Sequence, residues 1–139
     1  MAAGRSILFF LAFFYVYGAG VHAANMLSLT GFDWGAAPLK WQALDVVYLL
    51  LSIGVALGLL MGRRFGIVLL VVAAASQILL YTIGRAWITD VPPAFALSPS
   101  QESYLTTLVG FHIVALGLAG LAAWLMEDAP APEKPPAAG

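Results

Sequence analysis

The polar side chains that interrupt the apolar stretches of this chain fall into short stripes, and any chemistry the protein performs must start from them. Tyr15, Gly18, His22 and Asn25 recur at spacings of three and four residues, which puts them on one face of a helix. Asp45, Tyr48 and Ser52 repeat the pattern further along, Gln77, Tyr81 and Arg85 stand at i, i+4 and i+8, and His112 follows with Thr106 and Thr107 before it. Polar and ionisable groups inside a membrane are costly, so stripes of this kind mark either an internal network or a ligand site. We take His22, Asp45, Tyr48, Gln77, Tyr81, Arg85 and His112 as the candidate ligand-binding set. Asp45 and Arg85 stand at matched distances from the ends of their apolar runs. They are expected to pair, with an anion or headgroup contact at a pocket mouth, or independent reach of both charges to the interface, as the other roles for Arg85. His22 and His112 admit axial ligation of one b-type haem, although their depths differ by about 6 Å along the helix axis. Hydrogen-bonded packing within the polar patch is the preferred role for each.

Other chemistry is missing from the sequence. There is no HExxH motif, no GxSxG elbow and no phosphate-binding glycine loop, so no catalytic residue is assigned. Without cysteine, thiol chemistry, iron–sulfur clusters and thiolate metal sites are excluded. A net charge of -1, with no basic cluster beyond Arg63 and Arg64, gives no footprint for nucleic acid.

The elements that must position these residues are set by composition. Of 139 residues, 62% are hydrophobic and 9% charged, and the mean hydropathy is +0.94. Open sheet edges cannot sit in lipid, so the long apolar runs imply helices. Four spans are expected at 7–27, 41–61, 65–88 and 104–126, each long enough to cross about 30 Å of hydrocarbon. The fold class is thus all-α, an integral membrane four-helix up-down bundle forming one domain over residues 1–126. Arg5 followed by an apolar stretch and Val21-His22-Ala23 resembles a signal peptide, but the segment is expected to stay as the first span.

Arg5, Arg63, Arg64 and Lys134 fall on one side of such a bundle and Lys40 and Arg85 on the other, which predicts both termini in the cytoplasm and, for a bacterial host, the inner membrane. The outer connections, residues 28–40 (SLTGFDWGAAPLK) and 89–103 (TDVPPAFALSPSQES), carry turn signals, and Phe32, Trp34, Trp41 and Trp87 lie where an aromatic belt would. The tail 127–139 (EDAPAPEKPPAAG) is expected to be a disordered cytoplasmic segment. Most polar residues map to the outer half of the bilayer.

Gly54, Gly58 and Gly62 form overlapping GxxxG units, and Ala115, Ala119 and Ala123 a second small-residue stripe. Both are expected to serve helix packing, either inside the bundle or against a partner subunit or second copy. The run GVALGLLMGRRFGIVLLVVAAASQILLY, with its short basic turn after a glycine-rich helix, resembles the DoxX-like group of small four-helix bacterial membrane proteins. The resemblance implies a small accessory or quinone-associated membrane subunit.

Three functions follow as expectations. The favoured one is a non-catalytic accessory or structural subunit, associating with a larger membrane complex or with itself. The second is a binding module or small transporter for a lipid, quinone or small anion in an outward-facing polar pocket. The third is a b-haem electron-transfer subunit. No cofactor is required by the first, while quinone or b-haem would serve the others, and membrane lipids and other subunits are the expected partners.

Overall fold

The computed structural model describes residues 2–127, and within that range every regular element is helical: α1 (Ala2–Met26), α2 (Leu39–Leu60), α3 (Arg64–Tyr81), α4 (Arg85–Thr89) and α5 (Pro99–Glu127), with 3-10 turns at Trp34–Ala36 and Pro93–Phe95. The tail expected to be disordered lies, beyond Glu127, outside the described residues. Four of the helices are long and apolar enough to cross a membrane, which fits a multi-pass membrane protein. Each long helix packs against two others, α1 on α2, α2 on α3, α3 on α5 and α5 on α1.

Local chemistry explains most of the boundaries. α2 ends in a Schellman motif: the Arg63 amide donates to Gly58 O and the Gly62 amide to Leu59 O, with Gly62 in the left-handed region at φ 63°. Gly62 is therefore a turn residue with open space about it, not the packing residue its spacing suggested. At the end of α1, Ser28 takes the same role at φ 56°, and its hydroxyl accepts from the Trp34 amide. α5 begins five residues earlier than expected, at Pro99 rather than residue 104, because Ser98 and Gln101 form a capping box. The Gln101 amide donates to Ser98 Oγ and the Ser98 amide to Gln101 Oε1, while proline is well placed in a first turn.

The third span departs most from expectation. The apolar run predicts one helix over 65–88, yet α3 stops at Tyr81 and α4 starts separately at Arg85. Thr82 leaves the helical region (φ -109°, ψ -82°), its hydroxyl bonds back to Ile78 O, and the Gly84 amide reaches Leu79 O. A side chain at Gly84 would crowd the carbonyl of Leu80. The break rotates Arg85 out of the Gln77–Tyr81 stripe.

Packing is densest at the end that carries the chain termini. Leu8, Leu11 and Ala12 of α1 meet Val55 and Leu59 of α2, Leu70 and Ala73 of α3, and Ala115, Ala119 and Ala122 of α5. A Cβ at Gly58 would fall on Gly66 Cα, and one at Gly54 would press on Leu69, so these glycines seat α2 against α3 within the chain. The buried stripe of α5 follows 115, 119 and 122, with Ala123 only half-buried, because a helix of 3.6 residues per turn drifts off a strict four-residue repeat. On this reading Gly58→Leu should lower the thermal midpoint in detergent, at a cost of about 1–3 kcal/mol or more from overpacking. Gly120→Leu, placed in open space, should leave the midpoint nearly unchanged when both are followed by helical circular dichroism.

Candidate functional site

The opposite half of the helix assembly does not close. Beneath the loops 27–38 and 90–98, helices α1, α2, α3 and α5 diverge around a cavity of about 590 Å3, within the range of small-molecule sites. Six of the seven candidate residues line it: His22, Asp45, Tyr48, Gln77, Tyr81 and His112. Phe14, Phe111 and Trp41 supply apolar wall.

Asp45 organises this region. It is 7% exposed, and its carboxylate accepts three hydrogen bonds: His22 Nδ1 at 2.8 Å and Asn25 Nδ2 at 2.9 Å on one oxygen, Trp34 Nε1 at 3.1 Å on the other. One anion thereby joins α1, α2 and the loop that follows α1, and every partner is a donor, as a buried carboxylate requires. The Trp34 segment is held in turn by Asp33, whose side chain accepts from the Gly35 amide. The His22 ring stacks on Tyr48 at 5.9 Å between centroids, and Tyr48 donates to Ser76 Oγ.

Arg85 stands apart, and its expected pairing with Asp45 is corrected. Its guanidinium donates to Thr106 Oγ1 and Glu102 O and lies 3.8 Å from the Glu102 carboxylate, tying α4 to α5. It does not line the cavity. The physical reason is the break at 82–84, which ends α3 before Arg85 and turns its side chain toward α5. Lys40, the other cation at this end, donates to Trp87 O and Asp90 O and lies over the Trp87 ring. Neither cation serves the cavity.

What the cavity offers instead is uncharged donors without partners. Tyr15 is 4% exposed, lines the cavity, and its hydroxyl is the one buried side-chain N or O atom without a hydrogen bond among the described residues. The side chains of Gln77 and Tyr81 also make no hydrogen bond within the described residues. His112 is buried and differs from these donors, because Nδ1 donates to Leu108 O at 2.6 Å and leaves Nε2 of the uncharged ring as an acceptor. Tyr15 stands seven residues from His22 on α1, about 10 Å at 1.5 Å per residue, so the polar lining runs inward along the helices.

The spacing of Tyr15 puts it on the lining face of α1 but does not distinguish it from its neighbours, and Trp34 is expected in the interfacial belt and not beside Asp45. Its place beside Asp45 comes from the tight 3-10 turn after Asp33, for which Asp33-Trp34-Gly35 was the available signal. Comparison with protein-family models, curated proteins and solved structures found no match. The site therefore stands on its own geometry.

Asp45→Asn removes the charge and sets an amide donor against the donors at one of the two carboxylate positions, so it should cost about 1–3 kcal/mol and loosen the Trp34 loop. The check is a lower thermal midpoint together with red-shifted tryptophan emission. Arg85→Ala should leave that emission unchanged.

Proposed function

We propose that the protein is a membrane binding module whose cavity takes a neutral, flat head group bearing hydrogen-bond acceptors, and that a quinone is the ligand class it fits best. The observation that carries this reading is the Tyr15 hydroxyl, buried in the cavity wall with nothing to donate to. Such a group costs about 1–3 kcal/mol when unpaired. A ligand carbonyl at the inner end of the cavity would recover that energy.

The remaining lining agrees with the choice. The Tyr81 hydroxyl and the Gln77 amide offer further donors, while Phe14, Phe111 and Tyr48 offer aromatic walls for a ring. A small anion or a phospholipid phosphate would require a cation, and both nearby cations are held elsewhere. Axial ligation of one haem is disfavoured by the depths of His22 and His112, which differ by about 6 Å along the helix axis. An accessory-subunit role drew its support from small-residue faces, and Gly54 and Gly58 meet α3 inside the chain. The DoxX-like resemblance, with its implied quinone association, points the same way.

We place the protein in a bacterial inner membrane as an up-down bundle with both termini cytoplasmic, since Arg5, Arg63 and Arg64 gather at the end opposite the cavity. The cavity then opens in the outer leaflet. Binding is read by quenching of tryptophan fluorescence in nanodiscs, because Trp41 lines the cavity and Trp34 bonds to Asp45. Tyr15→Phe should weaken decylubiquinone binding about tenfold, the loss of one hydrogen bond, while thermal stability holds or rises as an unpaired hydroxyl disappears. Unchanged affinity in this variant would remove the basis of the proposal.

A further inference from the structure

The helix residues that line the cavity differ sharply in exposure, and the difference has a direction. On α2 and α3 the polar lining residues Asp45, Tyr48, Ser52 and Gln77 are buried and Tyr81 is half-buried. The exposed lining residues on helices are Tyr17 of α1, at 63%, and Gln101, Tyr104 and Thr107 of α5, with Tyr104 at 49%. Tyr17, Tyr104 and Thr107 stand on the two sides of one seam. Toward the chain termini that seam is shut, first by the Phe14 and Phe111 rings at 5.2 Å and further down by Gly4 against Ala122 and Met126. Above the two phenylalanines the lining residues Tyr17, Tyr104 and Thr107 are exposed, so the cavity lining reaches the outer surface of the helix assembly there.

The loop end is fastened by contrast. The Trp41 ring sits edge-on to both Phe32 and Phe95, at 6.1 Å each, so one side chain joins the two loops that roof the cavity. Its indole nitrogen donates to Ile88 O at 2.9 Å, and Trp34 is bonded to Asp45. Opening a path through the loops would break these contacts together, whereas the seam between Tyr17 and Thr107 has no hydrogen bond across it among the described residues.

We propose that the cavity is loaded sideways from the bilayer through the α1–α5 seam, and that its ligand carries a hydrocarbon tail that stays in the seam and reaches the lipid. This rests on the binding reading above and narrows the ligand to a long-chain amphiphile, setting aside a water-soluble compound arriving through the loops. Tyr17 and Tyr104 flank the portal with amphipathic rings suited to the membrane interface. Phe14 and Phe111 form its sill. The head group passes above them into the polar interior, while the chain follows the apolar seam outward and keeps its burial in lipid.

The absence of cysteine makes the test direct. Tyr17→Cys with Thr107→Cys places a thiol on each side of the seam, for bridging by a short reducible bis-methanethiosulfonate, and Thr30→Cys with Ala96→Cys does the same across the loops. The readout is the association rate of decylubiquinone in nanodiscs, by stopped-flow quenching of tryptophan fluorescence. Bridging the seam should slow association at least tenfold, with recovery on reduction, and bridging the loops should leave the rate within about twofold. An unchanged rate across the bridged seam, or a block produced by the loop bridge alone, would overturn the proposal. Failure of decylubiquinone to bind the unbridged wild-type protein at all is a separate outcome, which removes the quinone reading and the portal with it.

Discussion

A single buried carboxylate governs the loop end of this protein. Asp45 lies within an apolar span, where an uncompensated charge would cost several kcal/mol, and it is compensated by three donors from α1 and the Trp34 turn. The same hydrogen bonds that make the charge tolerable set the spacing of α1 and α2, orient the His22 ring against Tyr48 and draw one loop over the cavity. Architecture and site are consequences of one requirement, that a charge in lipid be satisfied from within the chain.

The two ends of the helix assembly are built on opposite principles. At the terminal end, Gly58 on Gly66 and the alanines of α5 bring backbones together in close packing. At the loop end, Tyr15, Tyr48, Gln77 and His112 are too large and too polar to interdigitate in that way, and the helices separate around them. A packed apolar base thus supports a polar cavity. This division explains why burial is nearly complete for Tyr15 although its hydroxyl has no partner, since the ring belongs to the packed base and the oxygen to the cavity.

Much of this was legible in the residues. Spans follow from runs of apolar side chains because hydrocarbon thickness fixes their length, and α2 lies within two residues of its expected limits, while α1 and α5 end close to theirs but each begin five residues earlier. The grouping of His22, Asp45, Tyr48, Gln77, Tyr81 and His112 followed from helical periodicity. Three features did not. The break at 82–84 arises from Thr82 and Gly84, residues that an apolar helix tolerates, and only their dihedral angles distinguish a kink from a continuous turn. The choice of partner for Asp45 depends on where the Trp34 turn folds back, a loop geometry that hydropathy does not encode. The early start of α5 is set by the capping box of Ser98 and Gln101, polar residues that contribute nothing to the apolar content by which spans are delimited.

The central claim is that the cavity holds a neutral acceptor-bearing amphiphile. It is tested most directly by gentle extraction of the protein from native membranes, native mass spectrometry of the intact species, and analysis of the released small molecules. The account predicts a near-stoichiometric prenylated quinone, retained by the wild-type protein and depleted when Tyr15 is replaced by Phe. A protein that carries phospholipid alone, in equal amount with either residue at position 15, would contradict it.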